Sequence, residues 1–254
     1  MEAGRTAWRL HAISLASIVV GIAVWQVAAG GTSDLILPPP SMVAAKLFDP
    51  GFAARLTEAV GNSMVALFAG FGISLAVAIP LGILLGRNRT AAAMIEPVVT
   101  AIYAIPPVAF VPFLVVWFGL FQPARIALVV LMTVFDVLIV VTAGARDVRR
   151  GLVDVGRSFG ASMPTRMRLI VLPALAPFLF AGLRVGFARA VNGMITAELF
   201  FAAVNLGRLM KRESQNFDTA GVLLVVLVVC VLGLAGQMLL TAIERRALHW
   251  HARA

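Results

Sequence analysis

Long apolar runs, broken by short clusters of Arg, Pro and Gly, make up most of this chain, and the polar positions inside the runs are few enough to name one by one. An apolar run of about 20 residues can cross a hydrocarbon core about 30 Å thick as a helix. Six such runs are present, over approximately His11–Ala29, Asn62–Leu85, Ile102–Phe121, Arg125–Ala143, Leu175–Phe201 and Ala220–Ala242. The first follows Arg5 and Arg9, as a secretory signal would, but it is longer than a signal core, so a retained helix is expected. The pattern predicts an all-α, polytopic membrane protein of six transmembrane helices, forming a single transmembrane domain over residues 1–254.

Composition agrees. Hydrophobic residues make up 61% of the chain and charged residues 13%, with a mean hydropathy of +0.97. The net charge of +9 does not indicate a nucleic-acid binder, because long apolar runs separate the basic residues instead of one soluble face collecting them. With the N-terminus in the cytoplasm, Arg5, Arg9, Arg87, Arg89, Arg146, Arg149, Arg150, Arg157, Arg166, Arg168, Arg245, Arg246 and Arg253 fall inside. Lys46, Arg55, Arg125, Arg208, Lys211 and Arg212 fall outside, and this excess of basic residues on one side places both termini in the cytoplasm. Cys230 stands alone in an apolar run, and His249 and His251, two apart, do not share a helical face, so no disulfide framework and no metal site is expected. The sequence has no G-x-x-x-x-G-K-[ST] phosphate loop and no Ser, His and acidic set in a soluble domain; no catalytic residues and no enzyme activity are expected on this chain.

The charged segment between the fourth and fifth runs is the most specific feature. It reads DVGRSFGASMPTRMRLIVLP from Asp154 to Pro173. Gly160 can adopt backbone angles other residues resist, and Pro164 can open a helix without losing a needed donor. Residues 145–173 are therefore expected to form a cytoplasmic helix-turn-helix. Its arginines make a basic surface and Phe159, Met163, Met167 and Ile170 supply apolar knobs for a partner's groove. The alternative is a positively charged inside loop with no partner.

The spacing Asp154, Gly160, Ile170, Pro173 resembles the EAA loop of bacterial ABC importer permeases, with Asp154 in place of the usual Glu and Val155 and Gly156 in place of an Ala pair. LPPPS at Leu37–Ser41, Ile105-Pro106-Pro107, Trp117-Phe118-Gly119, Ala181-Gly182-Leu183-Arg184, Phe217-Asp218-Thr219-Ala220-Gly221 and Glu244-Arg245-Arg246 with Trp250 are similar to the nitrate, sulfonate, taurine and bicarbonate branch of that family. The resemblance implies a permease domain whose Asp154, Gly160, Ala161, Pro164, Arg166, Ile170, Leu172 and Pro173 couple to an ATPase. It also implies two cytoplasmic ABC ATPase subunits holding ATP and Mg, no cofactor on this chain, a second copy of the permease as a homodimer, an external substrate-binding protein and a bacterial inner membrane. Val140 and Val141 replace a usual Asn-Thr pair and Asp136 a usual Pro, which bears on substrate and not on fold.

A charge at the bilayer centre costs at least about 2.5 kcal/mol and faces a partner or a wet cavity. At 100° per residue, Arg189, Asn192 and Thr196 share one side of the fifth helix, and Arg184 and Glu198 another. Arg184 and Glu198 lie about 21 Å apart along the helix and cannot pair, so Asp136 is expected to be the counter-ion of Arg184, with Glu198 at the outer interface. Arg189, Asn192 and Thr196, with a span kinked at Pro106 and Pro107, are expected to line the passage of a small anion. Packing glue is the structural alternative for Arg189 and Asn192. The expected function is a permease subunit of an ATP-driven importer, forming the path for an aliphatic sulfonate, taurine or nitrate. The alternatives are an ion-coupled secondary carrier, for which no internal repeat speaks, a membrane-anchored scaffold, or an import permease for a non-anionic molecule such as a pyrimidine vitamin precursor. Gly70, Gly72, Gly82, Gly86, Gly182, Gly186 and Gly193 are expected to allow close helix contact, and Trp8, Trp25, Trp117 and Trp250 to sit at the interfaces.

Overall fold

A computed structural model describes residues 2–201 and 204–249. Trp250, His251 and Arg253 lie outside the described residues, as do the side chains of Arg5, Trp8, Arg9, His11 and Arg150. The described chain is helical. Helix α1 runs Glu2–Gly30 and α2 Pro40–Ala45, followed by a 3-10 turn, Lys46–Phe48. Next come α3 Pro50–Arg87, α4 Arg89–Tyr103, a 3-10 turn Pro107–Phe110, α5 Val111–Phe118 and α6 Gln122–Asp147. The second half holds α7 Arg150–Ser158, α8 Met163–Arg166, a π turn Met167–Val171, α9 Leu172–Phe200, α10 Asn205–Gln215 and α11 Thr219–Ala247.

Five stretches, Ala12–Gly30, Pro50–Arg87, Gln122–Asp147, Met163–Phe200 and Thr219–Ala247, are long and apolar enough to cross a membrane. Arg89–Tyr103 and Pro107–Phe118 are long and apolar enough only when taken together, as a pair bent by 88° at the proline break. The third run thus differs from its expected bounds of Ile102–Phe121. Pro106 and Pro107 have no N–H for helical bonding, so α4 ends at Tyr103, and α5, eight residues long, rises only about 12 Å.

The core is the seam among α3, α6 and α9, and it is built on glycine. A methyl at Gly70 would sit 2.5 Å from Val129 Cγ1, and one at Gly186 the same distance from Val137 Cγ2. Gly82 faces Val141 and Gly86 faces Ala145 in the same way, while Gly72 meets nothing within 4 Å. Val129, Val137 and Val141 of α6 are fully buried, so the seam packs branched side chains against bare backbone. Helix α1 stands apart, with Ile13, Leu15, Ile18 and Val19 exposed.

At the end of the bundle where α3 begins, Asp49 caps that helix by accepting from Gly51 N at 2.9 Å. Phe52 and Leu56 of α3 pack with Leu206 and Leu209 of α10. Trp25 Nε1 donates to Pro38 O at 3.1 Å, Thr219 Oγ1 donates to Leu35 O at 2.6 Å, and Lys46 pairs with Asp218. The proline-rich and Phe-Asp-Thr motifs, far apart in sequence, are thereby two sides of one clasp.

Candidate functional site

A cavity of about 290 Å³ opens where α4 breaks, lined by Ile102, Tyr103, Ile105, Pro107 and Phe110 on one side and Leu131, Met132, Phe135 and Asp136 of α6 with Arg189 of α9 on the other. Asp136 lies midway along α6 and Arg189 midway along α9, so the cavity sits near the middle of two spans. Arg189 Nε is 3.3 Å from Asp136 Oδ2, and Tyr103 Oη donates to Asp136 Oδ1 at 3.3 Å. The guanidinium side chain remains 48% exposed and the carboxylate only 13%, so Arg189 is the member with free donors.

The expected pairing of Asp136 with Arg184 is therefore corrected. Arg184 pairs with Glu244 of α11, and Gln237 Nε2 donates to the Arg184 carbonyl at 2.7 Å. Five residues at 100° turn Arg184 about 140° away from Arg189, and only Arg189 faces α6. Pro107 reaches the cavity beside Arg189; Asn192, exposed, and Thr196, half-buried, lie one and two turns further along α9 and are not in its lining.

Glu198 also departs from its expected interfacial place. It is fully buried, accepting from Asn205 Nδ2 at 3.1 Å and from Gly207 N at 3.2 Å. Its carboxylate holds the first turn of α10, where the helix dipole favours a negative charge, and a methyl on Gly207 would strike the Glu198 backbone. Tyr103 was not singled out in the sequence, although its signal is there: it is the chain's one tyrosine and it precedes a Pro-Pro pair inside an apolar run.

The second assembly is the turn between α7 and α8. Gly160 has φ +74°, Gly160 N donates to Arg157 O at 3.0 Å and Ala161 N to Gly156 O at 3.0 Å, the two bonds of a Schellman cap. Ser162 then opens α8, with Thr165 N donating to its Oγ at 3.4 Å and Pro164 in the first turn. The helices fold back so closely that a methyl on Gly156 would lie 2.6 Å from Ile170 Cδ1. An alanine there, as in the EAA pattern, would require the Ile170 side chain to swing aside. Leu152, Val155, Phe159 and Met163 are exposed. Behind the turn a cleft of about 760 Å³ is lined by Asp154, Arg87, Arg89 and the ion pair Arg146–Glu96. Arg166 is half-buried against α7 and is not in the lining of that cleft, its Cγ 3.4 Å from a methyl placed on Gly156, and Leu172 and Pro173 lead into α9.

A bundle of this kind, with a bent helix pair beside a cavity holding an ion pair and a tight helical turn feeding directly into a core helix, is that of a polytopic membrane protein. Residues 78–249 match the family "Binding-protein-dependent transport system inner membrane component", to which the chain belongs. It is 30% identical over 242 residues to a probable ABC transporter permease protein of Brucella abortus, covering 95% of this chain and 96% of that one. It is 29% identical over 252 residues to the taurine transport system permease protein TauC of Escherichia coli, covering 94% and 90%. The fold matches a chain of the MetNI methionine ABC transporter in an inward-facing conformation, with a TM-score of 0.63 at 18% identity over 77% of this chain and 99% of that one.

Proposed function

We propose that the chain forms, with a second copy, the translocation path of an ATP-driven importer for a small solute carrying an oxyanion group such as a sulfonate. The observation that carries this reading is Arg189, a half-exposed guanidinium in a cavity at a broken mid-membrane span. A guanidinium offers several donors in a plane to an oxyanion, and the relationship to a taurine permease supports that class. Energy comes from two cytoplasmic ATPases binding ATP and Mg, docked on the exposed apolar residues of the α7–α8 turn. An external binding protein delivers the solute, and the helices lie in a bacterial inner membrane with both termini in the cytoplasm. Asp154, Gly160, Ala161, Pro164, Arg166, Ile170, Leu172 and Pro173 transmit the stroke, because the turn continues through the π turn into α9 and hence into the seam. ATP closure shifts the bundle between two states to the extent that it binds one more tightly.

The test is uptake into proteoliposomes holding the permease, its ATPase and its binding protein. Wild type should accumulate an oxyanion solute with ATP, and Arg189→Gln at matched abundance should reduce uptake at least tenfold. Unchanged uptake in Arg189→Gln would remove the anion reading.

A further inference from the structure

We propose that the solute is a zwitterion, with a cationic group held by Asp136 and an anionic group held by Arg189. This rests on the reading of the cavity as the solute's site and narrows what that site accepts. The polar side chains of its lining are three: Arg189, Asp136 and Tyr103. The two charges already neutralise each other at 3.3 Å. A bare anion that takes Arg189 leaves Asp136 uncompensated beside it in the membrane interior, a like-charge contact at about 4 Å that lowers occupancy on the order of a thousandfold at an intermediate dielectric. A bare cation on Asp136 strands Arg189 in the same way.

A zwitterion exchanges one ion pair for two. Its anionic end takes the exposed donors of Arg189, its ammonium takes Asp136, and the cavity stays neutral before, during and after binding. Tyr103 keeps its hydrogen bond to Asp136 Oδ1 and so fixes which oxygen turns toward the incoming ammonium. The cavity, about 290 Å³, holds on the order of ten water volumes. That space suits two charged groups joined by a short linker, with Phe110, Phe135, Met132 and Leu131 packing against the linker. The three groups come from three helices that meet only because α4 stops at Tyr103, so the break makes the site.

Binding to the purified permease–ATPase complex in nanodiscs, measured without ATP and without the binding protein, tests this with three probes: taurine, isethionate of the same size, which has a hydroxyl for the amine, and the smaller ethanolamine, which has a hydroxyl for the sulfonate. Wild type should bind taurine at least tenfold more tightly than either of the others. Asp136→Asn should raise isethionate binding to the level of taurine or above it, and Asp136→Glu should restore the preference. Arg189→Gln should weaken taurine and isethionate alike. If wild type binds isethionate as tightly as taurine, the zwitterion proposal is overturned whether or not Asp136→Asn assembles, while loss of both in Arg189→Gln leaves the anion site standing. If Arg189→Gln binds both as wild type does, the anion site falls and the zwitterion with it.

Discussion

A packed seam and an open cavity lie next to each other along α6 and α9, and the two are built on opposite principles. In the seam Gly186 lies against Val137, Gly193 against Val129, and Gly70 of α3 closes on the same valine, so that an added methyl at any of the three would force a neighbour to shift. Beside it Asp136 and Arg189 of the same helices, with Tyr103 of α4, border an open cavity. The seam has little slack; the cavity has space for a solute. A close-packed interface is bistable, not continuously deformable, so a stroke entering α9 from the α7–α8 turn should displace the seam as a unit and change the cavity.

The largest expected effect comes from breaking the seam. Gly186→Leu drives a side chain into Val137 and Phe71, and overpacking of this kind costs about 1–3 kcal/mol. Membrane abundance should fall severalfold on quantitative immunoblots, and Gly72→Leu, at a glycine with open space around it, should leave it near wild type. Equal losses at both positions would mean the seam is not the stabilising contact.

Gly160→Val acts outside both regions, in the turn that leads into α9. Gly160 has nothing within 4 Å, so the substitution introduces no clash, only an unfavourable backbone at φ +74° costing at least about 1–2 kcal/mol. The spans should insert at wild-type abundance while ATPase association and transport drop at least tenfold. Gly160→Asn should recover much of the loss, because Asn tolerates this conformation. Normal ATPase co-purification with the valine variant would separate the turn from coupling.

Arg184 and Arg189 sharpen the comparison on a single helix. Arg184 bridges α9 to α11 through Glu244, so Arg184→Gln should lower abundance, by a stability loss of roughly 1–2 kcal/mol for a partly exposed charged contact. The double variant Arg184→Gln/Glu244→Gln should be no worse than the single, and transport per molecule should stay near wild type. The Arg189 variant should show the reverse, normal abundance and poor transport.

What could be read from the sequence follows the same division. Apolar runs report helices long enough to cross a membrane, and five of the six recur as single long helices; Gly160 reports a turn through backbone geometry alone, and it sits at φ +74° between α7 and α8. Arg189 was legible as an intramembrane cation, but its partner was not, since the angle between Arg184 and Arg189 is set by the helix while the helix each one faces is set by packing. Glu198 was illegible for a related reason: its acceptors are satisfied by Asn205 and Gly207 after a reversal of the chain that hydropathy does not reveal. The broken span hid because Pro106 and Pro107 sit in an otherwise continuous apolar run.

The smallest effect is expected at the clasp near α10, where Lys46, Glu213 and Asp218 meet. Burial pushes the Glu213 carboxyl above the usual carboxylate range, and the neighbouring Asp218 charge pushes it the same way. Burial also opposes ionisation of Asp218, yet its bonds from Lys46 and Gly221 N hold it below its ordinary value. The signs are opposite. With Glu213 raised, the unfolded chain ionises first, so stability falls as pH rises from the ordinary carboxylate value to the raised one. With Asp218 lowered, stability is present above its ordinary value and is lost as pH falls through the lowered one. Glu213→Gln should therefore raise the thermal midpoint of the purified complex at neutral pH and flatten the fall in stability above the ordinary carboxylate value, because an amide carries no charge to bury beside Asp218. Asp218→Asn should lower it through loss of the Lys46 pair alone, since Asn Oδ1 can still accept from Gly221 N and cap α11. A midpoint for Glu213→Gln below wild type at neutral pH would show that the carboxyl contributes more through its contacts than its burial costs, and that this end of the molecule, like the cavity, depends on its charged groups.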